Sequence, residues 1–259
     1  FTDPNVVHIS GEPDPVGDAE TVMTELMLAD MESLEKRQDP LTKKVRGGDK
    51  EAASELALVE GALALLEDGC PARALDVAAA DESFIRSLGL LTAKPMLYVA
   101  NVDEEAAGEG NALSLKAADL AAKEGAEWVV ISAGIEEEIA ALDDAAEREE
   151  FLGALGLAET GLGRVIRAGY GLLDLITFFT INPKEAHAWT VKRGTFAPQA
   201  AGRVHTDFEK GFIAAEAISW DEFVSFGGEQ AARDAGKMRT EGRDYEVRDG
   251  DVLLFRFNV

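Results

Sequence analysis

The sequence contains little of the chemistry from which disulfide frameworks and metal centres are built. It has one cysteine, Cys70, and three histidines, His8, His187 and His205. One cysteine excludes an internal disulfide framework and fits a reducing cytoplasm. The histidines have no metal-ligand spacing, and the acidic run at 136–138 is predicted to be a solvated helix face. We therefore predict no metal site, and the sequence indicates no nucleophilic triad.

Positive charge is also scarce in this chain. Lys and Arg total 25 residues against 49 Asp and Glu, which gives a formal net charge of -24. This balance excludes a broadly basic surface, so any RNA contact must be local, and no DNA specificity is expected. No apolar run approaches membrane-spanning length, and no signal-peptide pattern is present. We expect a cytoplasmic protein without a membrane partner.

The most informative pattern is a pair of apolar runs, each followed by polar residues. The run 96–100 lacks polar alternation, which is typical of a parallel strand covered on both faces. Asn101 follows it, at the carboxyl end where ligands bind in open α/β sheets. A helix-prone segment, 113–125, leads to a second apolar run, 127–131, and then to Ser132. A right-handed crossover brings both ends to one edge of the sheet.

The two strand ends resemble motifs of P-loop GTPases. Asn101-Val102-Asp103-Glu104 resembles the NxxE variant of the base-recognition motif, and Ser132-Ala133 resembles the loop that closes over the base. Together with the C-terminal segment described below, they resemble the YchF family, also called Obg-like ATPases. The resemblance implies base contacts from Asn101, Val102, Glu104, Ser132 and Ala133. Glu104 is one methylene longer than the aspartate of guanine-specific relatives, which implies ATP, with GTP bound less well.

A phosphate-binding loop is absent from the sequence. No Gly-x-x-x-x-Gly-Lys-Ser/Thr motif occurs in the 259 residues, and the chain begins at Phe1 rather than at a methionine. We expect the phosphate-binding and switch segments to precede residue 1, and Mg²⁺ to bind with ATP in the complete protein. Hydrolysis depends on charge stabilisation and a positioned water. The chain alone is therefore expected to be inactive, and its catalytic residues are unknown.

Two apolar stripes predict an antiparallel helical hairpin. Apolar residues recur at helical spacing over 19–37, and those over 52–66 follow the a/d seam of a coiled coil. Asp18 is predicted to cap the first helix, and the polar stretch 38–48 to connect the two. The tip carries a cationic cluster that includes Lys43, Lys44 and Arg46. These cations either stay solvated or contact RNA phosphates.

From residue 176 the chain becomes rich in predicted strands. They cover residues 177–181, 188–191, 215–219, 245–247 and 252–257. A helix is predicted after His205, with Thr206 or Asp207 as its cap. Phe208, Phe212 and Ile213 are expected on its buried face.

This C-terminal segment resembles a TGS domain, a ubiquitin-like β-grasp module, in its YchF version. The match is carried by residues 188–191, 197–202, 205–212, 236–237, 241–242 and 255–259. His187 departs from the pattern, because relatives are expected to have an arginine there. TGS modules are associated with RNA or ribosomes, so the resemblance implies such a contact. The candidate residues are Arg203, Lys210 and Lys237.

The predicted fold is α/β. A partial P-loop GTPase-like parallel sheet (1–18 and 92–175, with a short strand at 6–9) contains an inserted helical hairpin (19–91), and a β-grasp TGS domain (176–259) follows. The resemblance implies a ribosome-associated, translation-factor-class NTPase that binds and hydrolyses ATP. The alternative is a non-enzymatic ribosome- or RNA-binding adaptor, built from the hairpin and the TGS domain.

Overall fold

The computed structural model describes residues 11–182 and 184–258. The chain forms two compact units, Phe1–Ala168 and Gly169–Val259. The strand predicted at 6–9 lies outside the described residues. Within the described ranges, no helix has the length and apolar character needed to cross a lipid bilayer.

The first unit combines a helical hairpin with a pair of parallel strands. Its elements are α1 (Pro15–Arg46), α2 (Lys50–Glu67), α3 (Glu82–Leu88), β1 (Leu97–Asn101), α4 (Ala112–Glu124), β2 (Glu127–Ile131), α5 (Ala133–Ala141), α6 (Ala145–Ala154) and α7 (Gly161–Leu172), which continues into the second unit. β1 and β2 pair in parallel, with Asn101 opposite Ile131. The predicted parallel pair is confirmed, and α4 connects the two strands.

The arm is a hairpin of α1 and α2, which share one apolar core. The predicted connection at 38–48 is wrong, because α1 continues through Pro40 and ends at Arg46. Proline inside a helix costs about 3 kcal/mol. Leu41, however, is buried seven residues after the fully buried Leu34, and its burial offsets part of that cost. The stripe therefore extends the helix beyond the point where the sequence turns polar.

Both ends of the arm differ from the prediction in detail. The connection between the helices is only the turn 47–49, where Gly48 has a φ of 89° that favours glycine. The Asp49 side chain then accepts hydrogen bonds from two N–H groups in the first turn of α2. At the other end α1 begins at Pro15, so Asp18 lies in the first turn and is not the cap.

A buried carboxylate ties the arm to the segment that leads into β1. Asp30 of α1 is 3% exposed, and Thr92 is 1% exposed. Asp30 accepts hydrogen bonds from the Leu91 N–H (2.7 Å), the Thr92 N–H (2.8 Å) and the Thr92 hydroxyl (2.7 Å). The same hydroxyl accepts a bond from the Ala72 N–H, after the end of α2. Three segments distant in sequence are thus linked through the Asp30 carboxylate and the Thr92 hydroxyl.

The second unit is a mixed sheet with helices on both faces. Its elements are β3 (Leu175–Asn182), β4 (Glu185–Lys192), α8 (Ala197–Val204), α9 (Thr206–Lys210), β5 (Phe212–Ser219), α10 (Trp220–Ser225), α11 (Glu229–Asp234), β6 (Arg239–Glu241) and β7 (Asp251–Phe257). The strand order is β4-β3-β7-β5-β6. β3 and β7 pair in parallel, and the other pairs are antiparallel.

Alternating residues of the strands supply apolar clusters on both faces of the sheet. Phe178 and Leu253 belong to the cluster that contains α8, through Ala200. Their neighbours Phe179 and Val252 belong to the cluster that α10 and α11 cover. The central strands β3, β7 and β5 are therefore covered on both sides, whereas the edge strands β4 and β6 are largely exposed.

The strand predicted at 245–247 is wrong. Of these residues only Glu246 forms a bridge, an isolated one with Phe196, and β6 pairs with β5 instead. The segment is held by backbone hydrogen bonds from the Ala197 N–H to the Tyr245 carbonyl oxygen and from the Val247 N–H to the Thr195 carbonyl oxygen, and the Tyr245 hydroxyl also donates a 2.7 Å hydrogen bond to the buried Asp251. That contact spans a turn and is not visible as a strand pattern.

The helix predicted after His205 is shorter than expected, and its cap is different. His205 is the N-cap, and its Nδ1 accepts a 3.2 Å hydrogen bond from the Asp207 N–H. Phe212 and Ile213 lie on β5 rather than on a helix. Phe212 is buried, but Ile213 is exposed at a register shift between β5 and β7.

Candidate nucleotide-binding site

The parallel pairing of β1 and β2 brings two polar strand ends to one edge of the sheet. The Val102 N–H donates a 2.9 Å hydrogen bond to the Ile131 carbonyl oxygen, one step beyond the last paired residues. Each strand then ends in a different element. β1 leads into a 3-10 turn that begins at Glu104, and β2 leads through Ser132 into α5. The predicted neighbourhood of Asn101 and Ser132 is confirmed.

A hydrogen bond joins the two strand ends directly. The backbone N–H of Ala133 donates to Oδ1 of Asn101 over 3.0 Å. This bond uses one of the two lone pairs of Oδ1 and leaves both N–H groups of Asn101 to donate elsewhere. Asn101 and Ala133 are both exposed. The edge therefore presents an oriented amide donor to solvent.

The carboxylate of Glu104 reaches the start of α5. A Cβ atom on Gly134 would lie 3.2 Å from Oε1 of Glu104 and 3.9 Å from Oγ of Ser132. The glycine thus lets the carboxylate and the hydroxyl approach the helix start closely. Asp103 fixes the turn that carries Glu104, because its side chain accepts a 3.0 Å bond from the Ala106 N–H.

Two of the predicted base-contacting residues, Val102 and Ser132, have buried side chains. Val102 is buried, and Ser132 is 2% exposed. Ser132 stands at the N-cap position of α5, but its hydroxyl makes no capping hydrogen bond there. Of the five predicted base contacts, Asn101, Glu104 and Ala133 are the exposed ones.

A cleft of about 220 Å³ adjoins this edge on the side of β1 and α4. Asn101 and Val102 line it, but Glu104, Ser132 and Ala133 do not. Tyr98 lines it too, and its hydroxyl donates a 2.9 Å bond to Glu124. Burial, together with that carboxylate, raises the pKa of Tyr98 to about 12. Tyr98 therefore stays neutral at physiological pH. Of the five predicted base contacts, Glu104, Ser132 and Ala133 lie outside the lining of the cleft.

Two positioning residues were not predicted from the sequence. Glu136 was expected on a solvated face, but its carboxylate accepts hydrogen bonds from the N–H groups of Gly161 (2.7 Å) and Leu162 (3.0 Å) at the start of α7. Arg164 of α7 donates a 2.9 Å bond to the Ala107 carbonyl oxygen, next to the turn that carries Glu104. No local sequence signal indicated either contact, because each joins segments that are distant in the chain.

The predicted RNA-contacting cations are all on the surface. Lys43, Lys44 and Arg46 are exposed in the last turn of α1, and they have no ion-pair partner among the described residues. Arg203 and Lys210 are exposed in the second unit. Lys237 differs, because it forms a 2.9 Å ion pair with Glu222.

Metal ligands are not clustered in the described part of the chain. No group of three or more His, Cys, Asp or Glu residues there has an arrangement that holds a metal ion. The described residues therefore do not by themselves fit a Mg²⁺ site.

Comparison with known proteins gives matches along the whole chain. A family model, YchF-GTPase_C, described as a protein of unknown function (DUF933), matches residues 175–258. The ribosome-binding ATPase YchF of Escherichia coli O157:H7 is 51% identical over 259 residues, which are 100% of this chain and 71% of that protein. The ribosome-binding ATPase YchF of Bacillus subtilis (strain 168) is 45% identical over 261 residues, with the same shares.

Solved structures give the same result. The structure of the Schizosaccharomyces pombe YchF GTPase is similar with a TM-score of 0.83 and 31% identity, over 99% of this chain and 70% of that one. A GTP-binding protein from Pyrococcus horikoshii OT3 shares the fold, with a TM-score of 0.59 and 24% identity over 99% of this chain and 75% of that one. The 51% and 45% identity to the ribosome-binding ATPases of Escherichia coli and Bacillus subtilis, over the whole of this chain, shows that it belongs to the YchF family.

Proposed function

We propose that this chain is part of a ribosome-associated NTPase that binds and hydrolyses ATP, and GTP less well. The observation that carries the proposal is the bond between the Ala133 N–H and Oδ1 of Asn101. It orients one amide donor at the carboxyl edge of a parallel sheet, which is where α/β folds bind nucleotides. The names of the relatives from Escherichia coli and Bacillus subtilis, ribosome-binding ATPases, support the same assignment.

The arrangement of donors and acceptors favours adenine. Adenine presents an acceptor at N7 and an amine donor at N6, whereas guanine presents acceptors at both N7 and O6. The free N–H groups of Asn101 match N7 of either base. The Glu104 carboxylate accepts from the amine of adenine, while the Ala133 N–H is already bonded and offers nothing to guanine O6. This complementarity supports ATP as the preferred ligand.

The phosphates of the nucleotide need other residues. The 259 residues contain no phosphate-binding loop motif, and the described residues contain no ligand cluster for Mg²⁺. The proposal therefore assigns phosphate and magnesium binding to polypeptide that is not among these residues. The chain alone would bind ATP weakly and would not hydrolyse it, since hydrolysis requires stabilised phosphate charge and an aligned water.

Ribosome association is assigned to the cationic surfaces. Lys43, Lys44 and Arg46 project from the end of a long helix, exposed and without an ion-pair partner among the described residues. Unpaired lysine and arginine side chains are the groups that contact RNA phosphates. In the second unit, Arg203 and Lys210 are further candidates, whereas Lys237 is partly neutralised by Glu222.

The decisive experiment is calorimetric titration with ATP and with GTP. The protein to be titrated is a fusion of this chain with the part of the Escherichia coli relative that it does not match, and we call this fusion the completed protein. The proposal predicts saturable ATP binding at least about tenfold tighter than GTP binding, a difference of about 1.4 kcal/mol. Equal affinities would remove the adenine preference. Absence of any nucleotide binding would favour the second candidate, a ribosome-binding adaptor, which the unpaired arm cations also support.

A further inference from the structure

A second cleft lies at the base of the arm and shares no lining residue with the candidate nucleotide site. Its volume is about 410 Å³, within the range of pockets that hold small molecules. Three segments form its walls: residues 72–77 after α2, one face of α3, and residues 89–95, which lead into β1. The third wall includes the stretch next to Thr92, which Asp30 holds.

The floor of this cleft is apolar and incompletely covered. Leu75, Ile85 and Ala93 come from the three different walls, and all three are half-buried against the core of the arm. Their uncovered parts face the cleft, so an apolar group placed there would complete the margin of that core. Burying such surface stabilises by about 25 cal/mol per Å².

The charge of the cleft is opposite to the charge of the chain. Each wall supplies one cation, Arg73, Arg86 and Lys94, whereas Glu82 is the only acid in the lining. The whole chain has 25 cations against 49 acids, so a three-to-one excess of cations is a local inversion. Arg73 is engaged by Glu124, and Arg86 lies 3.6 Å from Glu82. Lys94 is exposed and has no ion-pair partner among the described residues.

We propose that this cleft binds a small amphipathic anion, with an apolar body over Leu75 and Ile85 and its negative group between Arg86 and Lys94. The volume of the cleft suits a small molecule, the apolar floor suits its hydrocarbon body, and the cations suit its negative group. The bound molecule would bridge the arm and the segment that leads to β1, so it would stabilise their junction. This inference does not depend on nucleotide binding.

The test is a titration of the isotopically labelled chain with decanoate, followed by backbone amide NMR. We expect saturable shifts confined to residues 72–77 and 82–95, with a dissociation constant on the order of 1 mM for a ligand of about 12 non-hydrogen atoms. Decanamide, which has the same apolar body without the charge, should bind at least about fivefold more weakly. Circular dichroism verifies that each variant is folded.

Charge reversal provides the matched comparison. Arg86→Glu combined with Lys94→Glu should weaken decanoate binding by about tenfold or more, because both side chains are exposed and face the anionic group. Lys116→Glu combined with Lys123→Glu, two cations of α4 outside the cleft, should leave it unchanged. Equal affinity in the first variant, equal binding of decanamide, or shifts centred on other exposed apolar residues such as Trp220 and Val224 would overturn the proposal.

Discussion

The backbone N–H of Ala133 donates a hydrogen bond to Oδ1 of Asn101, across 32 positions of sequence. The bond anchors the oxygen half of the amide against Ala133, so the two N–H groups are the half of Asn101 that remains available to a ligand. A base that approaches this edge must offer an acceptor to Asn101. The proposed ATP preference depends on this orientation together with the position of Glu104 beside Gly134.

Shortening Glu104 should change the base preference. In Glu104→Asp, the ratio of ATP to GTP affinity of the completed protein should fall by about fivefold or more, because the shorter carboxylate suits the two adjacent donors of guanine. Competition titration with both nucleotides measures the ratio. Glu105→Asp, the same change at the neighbouring exposed residue, is the control. An unchanged ratio in Glu104→Asp would show that Glu104 does not read the base.

Asp30 should be essential for the stability of the arm junction. Asp30→Ala leaves two backbone N–H groups and the Thr92 hydroxyl without their buried acceptor, and it should cost about 3 kcal/mol. Urea unfolding, monitored by circular dichroism, measures this loss. Asp39→Ala, an exposed position on the same helix, should change stability by less than about 0.5 kcal/mol. Similar costs for both variants would contradict the assigned role of the buried carboxylate.

Glu216 should make the second unit sensitive to acid. Its buried carboxylate accepts a hydrogen bond from Arg233 and also pairs with Arg256, and these contacts lower its pKa below the ordinary value of 4.5. A lowered folded-state pKa contributes stability above the ordinary value, and that stability is lost as the pH falls through the folded-state pKa.

Glu216→Gln should therefore lower the melting temperature at pH 7, and the difference from the unchanged protein should shrink by about pH 2. Differential scanning calorimetry at both pH values measures it. Glu246→Gln, at an exposed carboxylate, should show no such pattern. A difference of the same size at both pH values would indicate a packing effect instead of a charge effect.

The arm cations should govern ribosome association if the proposed surface is correct. Lys43→Glu combined with Lys44→Glu should reduce cosedimentation with ribosomes, and it should flatten the salt dependence because fewer phosphate contacts remain. Lys116→Glu combined with Lys123→Glu changes the net charge equally and is the control. If both pairs reduce cosedimentation alike, only total charge matters and the arm has no special role.

The parts of the fold that the sequence predicted are those governed by local patterns. Two uninterrupted apolar runs, each followed by polar residues, specified β1 and β2 and the closeness of Asn101 to Ser132. The apolar stripe specified the arm as a hairpin. Packing then decided its details, since the burial of Leu41 carries α1 through Pro40, which a reading of polarity alone treats as the end of the helix.

Contacts between distant segments could not be predicted. Asp30 and Thr92 are 62 residues apart, and nothing in either local sequence indicates that one carboxylate serves three donors of the other segment. In the sequence, Glu136 is the first of three consecutive acids and looks like the other two. Its contact with the start of α7 becomes visible only in the folded structure. The base-binding roles of Asn101, Val102, Glu104, Ser132 and Ala133, and the domain boundaries, remain predictions.

The most direct test observes the Asn101 side-chain amide while ATP is added to the completed, isotopically labelled protein. We expect the two N–H signals of Asn101 and the backbone N–H signal of Ala133 to shift saturably with ATP, at a common dissociation constant. Asn101→Ala should weaken ATP binding by about tenfold or more. Tight ATP binding that leaves these signals unmoved would contradict base recognition at this edge of the sheet.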